Sequence, residues 1–189
     1  MAEMQNSNPT ILNVADLPTR NRAAQKTRDS IPEIFAATPD LVDFLSSDSE
    51  DDDLLEEPID EQEIYDLIKY ISDPEHPISL GELAVVSLPD ISIKPTLPDV
   101  IGSPLQTVTV LITPTITHCS LATVIGLGVR VRLEQSLPPR FRVDVRIKEG
   151  THSTGDEVNK QLGDKERVAA ALENGALMQV IAKMMETCR

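Results

Sequence analysis

The chain contains 189 residues, with 31 acidic and 17 basic side chains and 3 % aromatic residues. A chain of this length fits one domain with tails or two very small domains. Its negative charge argues against a general binder of nucleic acid or of anionic membranes, since both require a cationic surface. Its two cysteines exclude a disulfide-dense secreted scaffold and a self-contained four-cysteine zinc or iron–sulfur site. Without a visible secretory signal or an apolar run of about 20 residues, we expect a soluble protein in a reducing compartment.

The negative charge is concentrated in residues 29–68, which hold 15 acidic and no basic side chains. The centre of this segment, residues 46–53, reads SSDSEDDD. Such a run repels itself and buries no apolar surface, so we expect residues 1–57 to form a disordered acidic tail. The folded domain is then predicted over residues 58–189.

The first strong helical pattern follows Asp60, which together with Glu63 has the spacing of a helix cap. Apolar residues then recur at helical spacing until two prolines end the pattern. The residues of this apolar face are Ile64, Leu67, Ile68 and Ile71. Two β-rich segments follow at 82–93 and 105–112. Residues 89–104 contain four prolines, which predicts a long loop insertion between two strands.

Residues 125–133 give conflicting signals. Apolar residues alternate with glycine and arginine, a period-two pattern that predicts a strand, and two glycines would each cost a helix about 1 kcal/mol. From its periodicity alone, this segment is therefore interpreted as β.

Residues 140–148 alternate without interruption between apolar and charged positions, which predicts a strand with one solvated, basic face. Three of its cations, Arg140, Arg142 and Arg146, are candidates for binding an acidic protein surface or the acidic tail of this chain. A solvated strand face is the simpler interpretation.

The C-terminal part of the sequence is predicted to be helical. Thr154 and Glu157 have the spacing of a capping box, and Asp164 can cap a second helix that ends at Asn174-Gly175. A last helix follows with one apolar face. That face consists of Leu177, Val180, Ile181, Met184 and Met185. We interpret the two methionines as core residues and not as metal ligands.

His118 and Cys119 are adjacent, after a stretch rich in Thr and Pro and before an apolar segment. If that segment is a helix, Cys119 lies in its first turn, where free amides and the helix dipole would stabilise a thiolate. Such a thiolate could be a nucleophile, a redox sensor or a soft-metal ligand. The alternative is a buried, inert cysteine, which the spacing alone favours.

A second candidate site lies in residues 73–77, which read DPEHP. The two prolines stiffen a loop that presents Glu75 and His76, both of which can be metal ligands. The alternative is a loop that ends a helix and carries a solvated Glu–His pair. His152 is a third candidate, or a locally hydrogen-bonded residue ahead of a helix.

A cysteine-dependent hydrolase or thiol oxidoreductase is a further alternative. In such an enzyme, Cys119 could pair with His152 and with Asp144 or Asp156. However, no nucleophile signature surrounds Cys119, and the sequence has no glycine-rich phosphate loop and no CxxC, HExxH or EF-hand pattern.

Four separated segments occur in the order in which one protein family contains them. They are DPEHPISLGELAVV (73–86), TPTITHCSLATVIGL (113–127), LPPRFRVDVRI (137–147) and GTHSTGDEVNKQLGDKERVAAALEN (150–174). In these segments the chain resembles the eukaryotic targeting subunits of cytosolic iron–sulfur protein assembly, also described as mitotic spindle-associated complex subunits. The wider class includes the bacterial PaaD-like and SufT-like metal–sulfur assembly proteins. The resemblance covers about residues 58–189 and leaves out the acidic tail and the proline-rich stretch.

The resemblance implies a small α+β domain in which a three-stranded sheet is flanked by helices. It also implies that residues 119–136 are helical, against the alternation described above. The reactive cysteine of the family falls on Cys119, and the acidic residue of its DPE motif falls on Glu75. Cys119 is then the expected ligand of an iron–sulfur cluster, with His76 and His118, besides Glu75, as weaker candidates around it.

By this resemblance, the protein is expected to be a non-enzymatic factor that targets and transfers iron–sulfur clusters to apoproteins of the cytoplasm and nucleus, with an indirect role in chromosome segregation. Its expected partners are a β-propeller subunit, a HEAT-repeat adaptor, the apo clients and a second copy of the chain. A cluster normally uses four thiolates, so one held by Cys119 would be transient and shared between chains. The alternative is a metal-free adaptor that bridges the larger subunits. Neither direct binding of nucleic acid nor a membrane contact is expected.

Overall fold

The computed structural model of this chain describes residues 11–19, 59–100, 102–117 and 121–188. Within these ranges the regular elements are five α-helices, three β-strands and two short 3₁₀ helices. The fold class is α+β, as the family resemblance implied. None of the helices in the described ranges has the length and apolar character required to cross a membrane.

The described strands form one mixed sheet in the order β1-β2-β3, with β1 at Ile91–Pro95, β2 at Gln106–Ile112 and β3 at Phe141–Ile147. Strand β1 runs antiparallel to β2, whereas β3 runs parallel to it. A parallel neighbour requires a crossover connection, which here contains α2 (Ala122–Ser136). The carboxyl ends of β2 and β3 therefore lie at the same end of the sheet.

Helix α1 (Glu61–Ile68) begins where the sequence predicted it. The Asp60 carboxylate accepts a hydrogen bond from the Glu63 amide at 2.9 Å, which confirms the predicted cap. The apolar face of α1 is buried in the core. The helix ends before Ile71, which is buried in the turn that follows.

The strand prediction for residues 82–93 is wrong over its first part, because residues 82–86 form turns and β1 begins only at Ile91. Val85 and Val86 are nevertheless buried, and their amides both donate to the Leu80 carbonyl, at 2.9 and 3.3 Å. Apolar residues in a buried turn thus produced a pattern that resembles a strand.

The predicted loop insertion at residues 89–104 is also partly wrong, because β1 lies inside it. Pro95 is the last residue of β1, at an edge of the sheet where a missing N–H interrupts no ladder. The connection from β1 to β2 is therefore limited to residues 96–105.

Helix α2 shows that the strand interpretation of residues 125–133 is wrong, and that the helix implied by the family resemblance is right. The helix is buried on several sides, and residues 125–129 are all buried, so this part of the helix has no polar face to reveal a helical period. Its glycines lie at close contacts with other helices. A Cβ on Gly126 would lie 2.6 Å from Leu162 Cδ1, and a Cβ on Gly128 would lie 3.2 Å from Met184 Cε.

Three C-terminal helices follow β3, as predicted. They are α3 (Gly155–Gly163), α4 (Lys165–Glu173) and α5 (Gly175–Met184). Asp164 caps α4 as expected, and Asn174 ends α4 and also caps α5, so Gly175 is the first residue of α5. The predicted capping box is wrong in one respect: Thr154 makes no side-chain cap, and its hydroxyl lies 3.3 Å from His152 Nδ1.

Residues 11–19, inside the predicted tail, pack with the domain. Leu17 is only 4 % exposed, and the Leu12 amide donates to the Glu82 carbonyl at 2.8 Å. Leu17 is the one buried residue of this short segment, and a single buried position leaves no periodic signal, so the sequence did not reveal this contact. The other residues of the predicted tail lie outside the described ranges.

Candidate functional site

The segment that leads to Cys119 leaves the sheet at the carboxyl end of β2. The Thr113 amide donates to the Val85 carbonyl at 2.9 Å, which holds the start of this segment against the turns at residues 82–86. His118 and Cys119 themselves lie outside the described residues. What the structure shows of this site is the chain on either side of them.

Helix α2 starts shortly after Cys119 in the sequence. Its first residue is Ala122 and its N-cap is Leu121. The prediction that Cys119 lies in the first turn concerns a residue outside the described ranges, and it stays a prediction. Leu121 provides no side-chain hydrogen bond, and no side chain in the described ranges caps the first N–H groups of α2. The positive end of the helix dipole is therefore located where the segment containing Cys119 ends.

The loop after β3 returns to the same segment. The amide and the hydroxyl of Ser153 both donate to the Thr117 carbonyl, at 2.9 and 3.2 Å. Because β2 and β3 are parallel, their carboxyl ends lie at the same end of the sheet. The loop after each strand begins there, and Ser153 connects the two loops. No sequence pattern predicted this contact, since only the sheet topology brings Ser153 opposite Thr117.

His152 lies next to Ser153, at the same end of the sheet. Its Nδ1 accepts a hydrogen bond from the Thr154 amide at 3.2 Å, so the neutral ring carries its proton on Nε2. This confirms the interpretation of His152 as a locally hydrogen-bonded residue ahead of a helix.

The loop at residues 73–77 is organised by Asp73. Its Oδ1 accepts hydrogen bonds from the amides of Glu75 and His76, at 2.8 and 3.1 Å, and lies 3.4 Å from His76 Nδ1. The Asp73 side chain is only 7 % exposed, whereas Glu75 and His76 are exposed. From the sequence, Glu75 and His76 were named as possible metal ligands. Asp73 was not named as a ligand or as the residue that organises the loop, although an Asp followed by Pro is typical of such turns.

These three side chains form a possible cation site. One ligand atom from each of Asp73, Glu75 and His76 lies within 4.8 Å of the others. The loop borders a cleft of about 370 Å³ whose other wall is α5, and the Ser72 amide donates to the Met184 carbonyl at 2.9 Å. Carboxylate and imidazole ligands suit a divalent cation better than an iron–sulfur cluster, which is held mainly by thiolates.

No described hydrogen bond joins the two candidate regions directly. The loop at residues 73–77 shares a cleft with α5, whereas Thr117 hydrogen-bonds to Ser153. The expected association of Glu75 and His76 with Cys119 therefore stays a prediction.

The basic face of β3 is confirmed. Arg142 and Arg146 are exposed, and the Arg140 guanidinium lies 5.4 Å from the centre of the Phe141 ring. Arg146 pairs with Asp144 at 2.7 Å, and this hydrogen-bonded carboxylate raises the pKa of Arg146 above its ordinary value. Arg142 thus differs from Arg146, because no described residue neutralises it.

Cys188 is the only cysteine in the described part of the chain. Burial raises the pKa of its thiol, and Arg132 and a hydrogen bond with Thr187 offset this effect only in part. A thiol with a raised pKa is mostly protonated at neutral pH and is a poor nucleophile or metal ligand. Cys188 is therefore a weaker candidate than Cys119 for thiolate chemistry.

A family model described as "iron-sulfur cluster assembly protein" matches residues 61–147, which include α1, the whole sheet and α2. Fungal relatives match over nearly the whole chain. A MIP18 family protein of Saccharomyces cerevisiae is 44 % identical over 100 % of both chains, and one of Schizosaccharomyces pombe is 46 % identical over 99 % of this chain and 98 % of its own. Cytosolic iron-sulfur assembly component 2B of Mus musculus is 52 % identical over 70 % of this chain and 76 % of its own.

These matches define the class of protein as an iron–sulfur cluster assembly protein, which confirms the family resemblance of the sequence segments. The chain belongs to the MIP18 family. The shorter match to the mouse relative leaves about 30 % of this chain unmatched, whereas the fungal relatives extend across it.

Proposed function

We propose that this chain is a non-enzymatic component of cytosolic iron–sulfur protein assembly that transfers clusters to apoproteins of the cytoplasm and nucleus. Family membership supports this role, since a relative carries the name of a cytosolic iron–sulfur assembly component. In this proposal the chain acts with a β-propeller subunit and a HEAT-repeat adaptor. Its link to chromosome segregation is indirect and passes through the clients.

The cluster is cargo, and Cys119 is its ligand from this chain. The observation that supports this assignment is the start of α2, whose first amides follow Cys119 in the sequence, receive no cap from any described side chain and would favour a thiolate over a thiol. Ser153 contributes by fixing the Thr117 carbonyl two residues before Cys119. Glu75, His76 and His118 are weaker candidates for the surroundings of the cluster.

A cluster held in this way must be shared. Four thiolates are the usual set, and the sequence has two cysteines, of which Cys188 has a raised pKa. The other ligands must come from a second copy of the chain, a partner subunit or the client. An incomplete ligand set binds its cluster weakly, and weak binding suits transfer.

The test is anaerobic reconstitution of the full chain with its partner subunits and an apo client. Cluster arrival on the client is followed by its visible absorbance and by client activity. We expect Cys119→Ala to abolish transfer and the matched control Cys188→Ala to leave the rate unchanged. Unchanged transfer by Cys119→Ala would eliminate the ligand role.

A metal-free adaptor is the second candidate, and the exposed cations of β3 favour it. In that case Cys119→Ala has no effect on client maturation. Reversing the charges of Arg142 and Arg146 would instead abolish pull-down of the larger subunits.

A further inference from the structure

A groove of about 500 Å³ follows the outer edge of β3. One wall is formed by α2, through Arg130 and Glu134, and the other by the junction of α3 and α4, through Leu162 and Lys165. Residues 141–144 of β3 form its floor. We call it the β3-edge groove.

Strand β3 uses only one of its edges to pair within the described sheet. The Gln106 amide donates to the Arg140 carbonyl, and the Lys148 amide donates to the Ile112 carbonyl, both at 2.9 Å. Since backbone groups alternate along a strand, the even-numbered residues of β3 bond to β2 and the odd-numbered residues point away from it. The Phe141 carbonyl and the two backbone groups of Val143 therefore point away from β2, and no described residue hydrogen-bonds to them.

The same edge is closed further along the strand. The Asn159 side chain accepts a hydrogen bond from the Ile147 amide at 2.7 Å and donates to the Ile147 carbonyl at 3.3 Å. This is the pair of bonds that an added strand would make. The edge is thus closed at Ile147 by α3 and open beside Phe141 and Val143.

The groove is also more basic than acidic. Its lining includes four cationic and two anionic side chains. The anions pair with Arg130 and Arg146, at 2.8 and 2.7 Å. Arg142 and Lys165 remain exposed and form no ion pair with any residue in the described part of the chain.

We propose that the β3-edge groove binds an extended acidic segment of a partner protein, which adds as a further strand beside β3. Backbone hydrogen bonds to Phe141 and Val143 fix the position of the segment, and Arg142 and Lys165 select acidic side chains. A nucleic acid would satisfy the cations but offers no strand backbone for the open edge. This inference does not involve Cys119, so it stands or falls independently of the transfer role.

The binding test uses the full chain and the fluorescein-labelled peptide EVDVEVDV, followed by anisotropy. We expect saturable binding, and no binding of the cationic peptide KVKVKVKV. Arg142→Glu should weaken binding about fivefold or more. The matched control is Lys94→Glu, a charge reversal on the exposed part of the opposite edge strand, β1, which should leave the dissociation constant unchanged. Equal weakening by both variants, or by neither, would overturn the proposal.

Hydrogen exchange separates strand addition from simple charge attraction. The peptide should slow exchange of the Val143 amide, which points away from β2, and leave the Asp144 amide unchanged, because it already bonds to β2. Val143→Pro removes the outward donor without removing a bond to β2, so it should weaken peptide binding, whereas Val143→Ala should not. A single-stranded DNA that binds as tightly as the peptide, with Val143 unprotected in both complexes, would replace the peptide proposal with a general anion site.

Discussion

The two candidate regions are held in place in different ways. In the first, at the carboxyl ends of β2 and β3, Ser153 bonds to the Thr117 carbonyl across 36 residues of sequence. In the second, the loop at residues 73–77, one carboxylate oxygen of Asp73 accepts hydrogen bonds from amides only two and three residues away. The comparison shows that the loop at residues 73–77 is organised by local hydrogen bonds, whereas the described chain on either side of Cys119 is positioned by the assembly of strands and helices.

The largest expected effect comes from disrupting the helix packing behind the first region. Gly126→Val places a branched side chain where a Cβ alone lies 2.6 Å from the buried Leu162. Overpacking of this kind costs about 1–3 kcal/mol, and we expect the upper part of that range in urea unfolding. The matched control is Gly163→Val, since a Cβ there meets no atom within 4 Å and the change should stay within about 0.5 kcal/mol. Equal losses for the two variants would contradict the close contact.

The next effect concerns the attachment of α3 to β3. Asn159→Ala leaves both backbone groups of Ile147 without a partner, and we expect the free energy of unfolding to fall by about 1–2 kcal/mol. Asn159→Asp keeps the acceptor for the Ile147 amide and should lose less. If Asn159→Ala unfolds at the same urea concentration as the wild type, the side chain does not close the edge.

A smaller effect is expected in the second region. Asp73→Ala removes the acceptor for two amides and should cost about 1 kcal/mol, as loss of a helix cap does, whereas Asp73→Asn keeps an oxygen in the same place. Hydrogen exchange should become faster at Glu75 and His76 and stay unchanged at Ser153. Faster exchange at Ser153 would show that the two regions are coupled, contrary to the comparison.

The smallest effect concerns Cys188, which follows α5 beside the second region. In a Cys119→Ala variant, Cys188 should react with iodoacetamide at pH 8 more slowly in the folded chain than in urea, because burial raises its pKa. A raised folded pKa also means that the associated stability is fully present below the ordinary pKa of 9.0 and is lost as pH rises through the folded value. Cys188→Ala should remove this alkaline decline. Equal alkylation rates in the folded and unfolded chain would contradict the raised pKa.

The sequence alone located elements whose signals are local. Asp60 and Asp164 were predicted as caps because a carboxylate two or three residues ahead of free amides acts within one turn. Strand β3 was predicted because its core face and its wet face alternate. Helix α2 was mistaken for a strand because it is buried on several sides, and only the family resemblance gave the right answer.

The features of the candidate site divide in the same way, into those visible in the local sequence and those that depend on the fold. Glu75, His76 and Cys119 were proposed as candidates from their neighbours in sequence, since ligand types and stiff loops are visible there. The pairing of Ser153 with Thr117 and the open edge at Val143 required the fold. Each of these depends on a parallel crossover that joins distant segments, and no local pattern encodes which distant backbone group a residue will meet.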